Sequence, residues 1–315
     1  MMALRHAARW GCCTLFLWTA GAHLGIAQET PPPARPPSAP GPETPINSAP
    51  QPGRVRPQAQ TPEEAAAYQA FLDQRDPDQR IRLVEDFLLA YPETQLKEYA
   101  YQVAMQAYQA KDDLEHMLTY GDMVLGENPD NITALLSLAT AISEMTARSD
   151  AEREERLADG DQYARQALEV LGRLRRPPGF PEEQWNDARR ESESVAHAAH
   201  GLMALIREDF VRAELELKEA VALARNPDPA LLYRLGMSYS FQKKYAEALE
   251  VLDRAASLGG IKIATSTGSA RDIVAEAREF ASKALAGAAP PPATAPPASP
   301  PSPPSAGDAQ PGLTP

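Results

Sequence analysis

Cysteine is nearly missing from this chain of 315 residues: there are two, Cys12 and Cys13, adjacent and close to the start. That excludes a spaced thiol framework for disulfides and a cysteine-ligated metal site. Basic blocks are missing too. The net charge is −12, with 31 Lys and Arg against 43 Asp and Glu. Binding to a phosphate backbone requires a concentrated cationic surface, so nucleic acid is excluded as a partner. No G-x-S-x-G, no H-E-x-x-H and no glycine-rich phosphate loop occurs, which leaves those hydrolase, metalloprotease and nucleotide-binding signatures unrepresented. Strand-like alternation of Val, Ile and Thr does not persist anywhere, and Ile261-Lys262-Ile263 is the nearest approach to it.

What is present begins with an export signal. Arg5, His6 and Arg9 precede an uncharged stretch from Trp10 to Ile26 that contains Leu15-Phe16-Leu17-Trp18. Gly25-Ile26-Ala27 then supplies small residues at the two positions a signal peptidase reads. Residues 1–27 are expected to be a signal peptide cleaved after Ala27. The alternative is an uncleaved membrane anchor, which would make the protein a membrane-tethered spacer. The stretch is about 17 residues, at the short limit for spanning, and it contains Gly21, His23 and Gly25. Cys12 and Cys13 follow Arg9-Trp10-Gly11 and precede the apolar run, so neither reads as a lipoprotein site. Cleavage removes both cysteines and two arginines from a chain of net charge −12, leaving −14 and no thiol. Such a chain suits an oxidising compartment, and the expected location is periplasmic or secreted.

Proline, 31 residues in all, crowds both ends. Residues 28–60 carry Pro31-Pro32-Pro33 and Pro36-Pro37; residues 286–315 carry Pro290-Pro291-Pro292, Pro296-Pro297 and Pro300-Pro301. Sequence of this kind buries too little apolar surface to offset its ordering entropy, so both segments are expected to be disordered tails, extended as polyproline II. They read first as spacers. The sharper reading is a ligand for a proline-recognising domain, against which stands the lack of charged residues beside the proline pairs of the C-terminal tail. The body, residues 61–285, is dominated by Ala, Leu, Glu, Gln and Arg in helical periodicity and should form about 11 helices, mostly paired.

The clearest repeat is Leu232-Tyr233-Arg234-Leu235-Gly236-Met237-Ser238-Tyr239, followed by Ala248, Leu252 and Ala255. Thirty-five residues earlier stand Gly201, Ala204, Ala213, Leu217 and Ala220. An earlier unit places Tyr101, Ala104, Met105 and Tyr108 on one helix and Met117, Gly121 and Val124 on the next, and Met105 recurs as Ala139 after 34 residues. These residues resemble the tetratricopeptide repeat (TPR) pattern W-x2-L-G-x2-Y…A-x3-F, with Leu for Trp and Leu for Phe. The match is closest at 201–255, looser at 99–142 and poor at 61–92. The resemblance implies an all-α, right-handed solenoid of helical hairpins. Its repeats are placed at about 98–131, 132–172 with an insertion, 194–227 and 229–262, and a capping helix at about 269–285 closes the stack. In this register Tyr101, Tyr108, Leu235, Gly236 and Tyr239 are packing residues, and Ala213, Ala220, Ala248 and Ala255 let helices approach closely. Arg148–Glu152 and Glu152–Arg156 are possible i,i+4 pairs in the insertion, which reads as a solvated extension.

The resemblance also implies a function: a scaffold that binds a protein or peptide along the concave groove lined by first helices, with no cofactor and no catalysis. The groove positions are Tyr99, Gln102, Gln106 and Gln109, then Thr133, Leu136, Thr140 and Ser143, and finally Tyr233, Met237, Ser240 and Phe241. The corresponding third-repeat residues Val195, Ala198, Leu202 and Leu205 are apolar. The Lys and Asn of the carboxylate clamp found in chaperone-docking TPR domains are replaced by Gln102 and Gln106, Leu136 and Thr140, Ala198 and Leu202, or Tyr233 and Met237. Without cations such a groove should not select a free carboxylate. Amide, aromatic and Met contacts suit an extended or helical segment.

Two pieces of candidate chemistry remain. His197 and His200, with Glu193, stand on one helical face and could resemble metal ligands. The repeat register favours simple packing of both histidines, and the enzyme or metal-site alternative rests on them together with Trp185. Asn131-Ile132-Thr133 has the form of a glycosylation sequon but falls at an expected helix start.

Overall fold

The computed structural model describes residues 57–146, 152–264 and 270–288. The expected signal peptide, nearly all of the first proline-rich segment and all but 286–288 of the second lie outside these residues. Arg148 does as well, and with it the pairing expected for it.

Eleven helices follow one another among the described residues: α1 Pro62–Asp73, α2 Pro77–Ala90, α3 Lys97–Ala110, α4 Leu114–Glu127, α5 Ile132–Met145, α6 Arg153–Arg173, α7 Glu182–Ile206, α8 Phe210–Leu223, α9 Pro229–Phe241, α10 Tyr245–Ser257 and α11 Ile273–Ala288. Their starts are written in the sequence. Thr61, Asp76, Asn131 and Asp228 each accept a backbone N–H of the first turn, and Pro62, Pro77 and Pro229 open three of those helices. Consecutive helices pack as hairpins, and successive hairpins stack. This is a TPR-like all-α solenoid.

The strand expectation is exceeded slightly. Lys262–Ala264 (β1) and Ala270–Asp272 (β2) pair antiparallel between α10 and α11, with Ile263 opposite Arg271. Gly259 and Gly260 take φ of 105° and 65° to end α10, conformations that side chains with a Cβ rarely adopt. Asp272 then caps α11, its Oδ1 accepting from Val274 N at 3.0 Å.

Three hairpin turns are built alike. Asp113 N donates to Tyr108 O at 3.1 Å, Asp209 N to Ala204 O at 2.9 Å, and Lys244 N to Tyr239 O at 2.9 Å. In each the residue before the donor, Asp112, Glu208 or Lys243, has φ between 55° and 62°. The repeat is therefore legible in the turns as well as in the helix faces.

The core is a row of connected clusters. Phe71, Val84, Phe87, Leu96 and Ala100 join α1 to α3. Met105, Tyr108, Met117 and Val124 join α3 to α4 and reach Ala134 and Ala141 of α5. Ala204, Leu217, Leu232, Leu252 and Val274 join α7 through α11. Ala213, Ala220, Ala248 and Ala255 are completely buried. At Gly201 an added Cβ would stand 2.5 Å from Leu217 Cγ, and at Gly236 2.7 Å from Leu252 Cγ. Both separations are far inside van der Waals contact, so helix approach at these two hairpins requires glycine.

Trp185, which falls between the expected second and third repeats, is integral to the core. Trp185 is buried with Ile132, Leu135, Ala167 and Leu171, and its ring meets Phe180 edge-on at 6.5 Å. α6 and α7, 21 and 25 residues long, are the two longest helices of the stack. Phe180 and Trp185 share one cluster with Ile132 and Leu135 of α5 and Ala167, Val170 and Leu171 of α6.

Candidate partner-binding groove

The first helices of successive hairpins, α3, α5, α7 and α9, carry the expected groove residues, and their surroundings differ sharply along the stack. On α3, Tyr99, Gln102 and Gln106 are half-buried and Gln109 is exposed. Tyr99 packs against the Phe71–Phe87 cluster. Gln102 Oε1 accepts from Asn131 Nδ2 at 3.0 Å, and the same amide donates to Glu98 at 2.8 Å. Asn128 Nδ2 donates to Glu98 at 2.5 Å. Gln102 is thereby fixed between hairpins, while Gln106 and Gln109 face outward. On α5, Thr133, Leu136 and Thr140 are half-buried and Ser143 is buried, its hydroxyl donating to Thr140 O at 2.8 Å. Asn131 is buried and caps α5 through Ala134 N at 2.9 Å, so the sequon asparagine serves the fold.

α7 and α9 correct the expectation. Tyr233 is only 5% exposed and Ser240 5%. Tyr233 lies in the buried cluster that includes Ile273 and Val274 of α11, and the Ser240 hydroxyl donates to Gly236 O at 2.8 Å. Neither presents a side chain to a partner. Met237 is half-buried. Phe241 is exposed but lies beside the α9–α10 turn, stacked on Phe210 with ring centroids 4.5 Å apart. Leu202 is buried, Ala198 and Leu205 are half-buried, and Val195 stays open. Arg234 Nη2 of α9 meets Glu144 Oε1 of α5 at 3.0 Å, an ion pair between first helices two hairpins apart, with α7 between them. The α3–α5 half therefore keeps more of its expected groove residues at least half-open than α9 does.

The two histidines separate instead of converging. His197 Nδ1 lies 2.8 Å from Glu216 Oε2 of α8, and His200 Nδ1 lies 2.9 Å from Asp161 Oδ1 of α6. Glu193 is occupied by Arg189 at 3.2 Å. Among the described residues no three His, Cys, Asp or Glu side chains are grouped as metal ligands. Asp161 is buried and also takes Arg207 Nη1 at 2.6 Å. Burial alone would raise its pKa, but the hydrogen bonds from His200 and Arg207 outweigh burial and hold it below the ordinary carboxylate value. The hydrogen bond from His197 likewise lowers Glu216. These pairs clamp α7 between α6 and α8. Sequence reasoning placed both histidines in packing positions but missed Asp161. The available signal was a carboxylate on a face otherwise made of Leu157, Ala164 and Ala167.

Phe210 was missed as well. It opens α8 directly after the capping Asp209, where α4 has Leu114 and α10 has Tyr245. A large side chain recurring after the same turn was the readable sign.

No family model and no curated protein matches the sequence. Solved structures similar to the chain include the type IV pilus biogenesis factor PilW, at 17% identity over 72% of this chain and 88% of that one, TM-score 0.49. PilF of Pseudomonas aeruginosa is 15% identical over 71% and 91%, TM-score 0.46. A thermophilic TPR protein of Thermus thermophilus is 19% identical over 70% and 96%, TM-score 0.39. The likeness lies in the stacking of helical hairpins. Among the described residues no helix is long and apolar enough to cross a membrane.

Proposed function

We propose that the protein is an exported, non-enzymatic scaffold of the cell envelope that holds a segment of a partner protein in the α3–α5 half of its concave groove, in the assembly of an envelope complex. The observation that carries this reading is that Tyr99, Gln102, Gln106 and Gln109 of α3 and Leu136 and Thr140 of α5 all stay at least half-open, with Gln102 anchored to Asn131 at the start of α5. Amides and a hydroxyl beside an apolar side chain can pair with the backbone of an extended or helical segment without fixing its charge. Gln102, whose carbonyl is held by Asn131, is preorganised and contributes at little entropic cost. Export rests on the sequence of residues 1–27.

The test is photo-crosslinking in the native host, with the crosslinker placed in turn at Gln106, at Gln109 and at Glu219 on the outer face of α8. Capture of one envelope protein from the first two sites and not the third supports the reading. Equal capture from all three, or none from the groove sites, rejects it.

A further inference from the structure

The chain has seven phenylalanines, and three of them, Phe210, Phe241 and Phe280, lie at the edge of the stack where the last hairpins turn. Phe241 ends α9 and is 47% exposed; Phe280, on α11, is 50% exposed. Phe241 stacks on Phe210, the first residue of α8. Tyr245, the first residue of α10, meets Phe280 edge-on with centroids 6.2 Å apart. Only Gln242, Lys243 and Lys244 separate Phe241 from Tyr245, so the two ring pairs flank one turn.

That turn is rigidly held. Gln242 Nε2 donates to Phe210 O at 2.9 Å and to Glu214 at 2.9 Å, and Lys244 Nζ reaches Glu214 at 2.5 Å. The two ring pairs, Phe210–Phe241 and Tyr245–Phe280, thus stand on either side of a braced turn, with Phe241 and Phe280 about half exposed, and are called the ledge below. Exposed aromatic area held rigid is costly for a surface that binds nothing, and it is the chemistry that receives polyproline II segments, whose flat proline rings pack between aromatic side chains.

The chain carries such a segment next to the ledge. Eight residues beyond Phe280, about 12 Å along a helix, α11 ends at Ala288, and Pro290-Pro291-Pro292, Pro296-Pro297 and Pro300-Pro301 follow. At about 3.1 Å per residue this run has ample length to return along α11 to Phe280 and reach Phe241. A free proline-rich ligand needs flanking charges to set its direction; this one lacks them, but covalent attachment fixes its direction and raises its local concentration to about the millimolar range. We propose that the proline run 290–301 docks on the Phe210–Phe241–Tyr245–Phe280 ledge of its own chain, as an intramolecular ligand that competes with proline-rich partners. The site is separate from the α3–α5 groove and stands or falls apart from it.

The experiment compares hydrogen exchange of the mature full-length protein with that of a chain ending at Ala288, following amides of residues 207–215, 241–249 and 276–284. Docking predicts slower exchange there in the full-length chain, by about fivefold or more. The Phe241→Ala/Phe280→Ala pair should abolish the difference while leaving the melting temperature of the Ala288-terminated chain within about 2 °C. A full-length variant with Ser for every proline from 290 to 301 should exchange like the truncated chain. Identical exchange in the full-length and truncated proteins overturns the proposal, as does protection that survives the proline-to-serine change. Protection that depends on protein concentration would assign the ledge to a second copy of the chain and also overturn it.

Discussion

α3 and α9 hold equivalent places in their hairpins, and they meet opposite fates. α3 keeps Gln102 and Gln106 half-buried and Gln109 exposed, whereas α9 buries Tyr233, Ser238 and Ser240 in addition to its packing face. Their own sequences do not account for this. α9 is enclosed because Tyr233 belongs to the buried cluster that takes in Ile273 and Val274 of α11, and because Arg234 reaches past α7 to Glu144. α3 has Asn131 on one side and the small first hairpin on the other, and Gln109 stays exposed. Repeat register thus tells which side chains point away from their own hairpin. Whether that direction leads to solvent depends on how neighbouring hairpins curve.

The sharpest way to break this comparison is to loosen the closed half alone. Asp161→Ala should destabilise the protein by about 3 kcal/mol, because it leaves His200 and Arg207 without the carboxylate that both contact. Denaturant unfolding measures this, and a loss under about 1 kcal/mol would show that α7 does not depend on the clamp. Next in size, Ala248→Phe should cost about 1–3 kcal/mol by overpacking a site with no free volume. An unchanged melting temperature would refute the alignment of α10 in the stack.

Acid should act through the same clamp. Asp161 and Glu216 are both held below their ordinary values. A carboxyl lowered by folding adds stability above its unfolded value, about 4, and that stability disappears as pH falls through the lowered value. The melting temperature should therefore drop as pH falls below about 4, and Asp161→Asn should flatten the drop. A descent of the same steepness in that variant would place the acid sensitivity elsewhere. The smallest effect on stability belongs to the open half. Gln106→Ala with Gln109→Ala should change stability by less than about 0.5 kcal/mol while partner capture falls at least tenfold. Loss of helicity in that variant would show the glutamines to be structural.

Much of the fold was readable because its physics is local. Caps such as Thr61, Asn131 and Asp228, helix-opening prolines, and the 35-residue recurrence of Gly201 and Leu217 as Gly236 and Leu252 state where helices begin and which faces touch. The candidate site was readable only in part. Tyr233 and Phe241 occupy groove positions by register, yet one is sealed by an element forty residues onward and the other stands at a hairpin edge with Phe210.

The sequence by itself determined the helices, their pairing and the small residues at their crossings, since periodicity, capping and side-chain volume act over a few turns of chain. Only the tertiary structure decided that Trp185 belongs to the core, that His197 and His200 face different carboxylates, and that Tyr233 and Ser240 of α9 are buried while Gln109 of α3 is exposed. Those outcomes depend on contacts such as Asp161 with His200 and Glu144 with Arg234. Their partners lie 39 and 90 residues apart, and no local pattern encodes the curvature that brings them together.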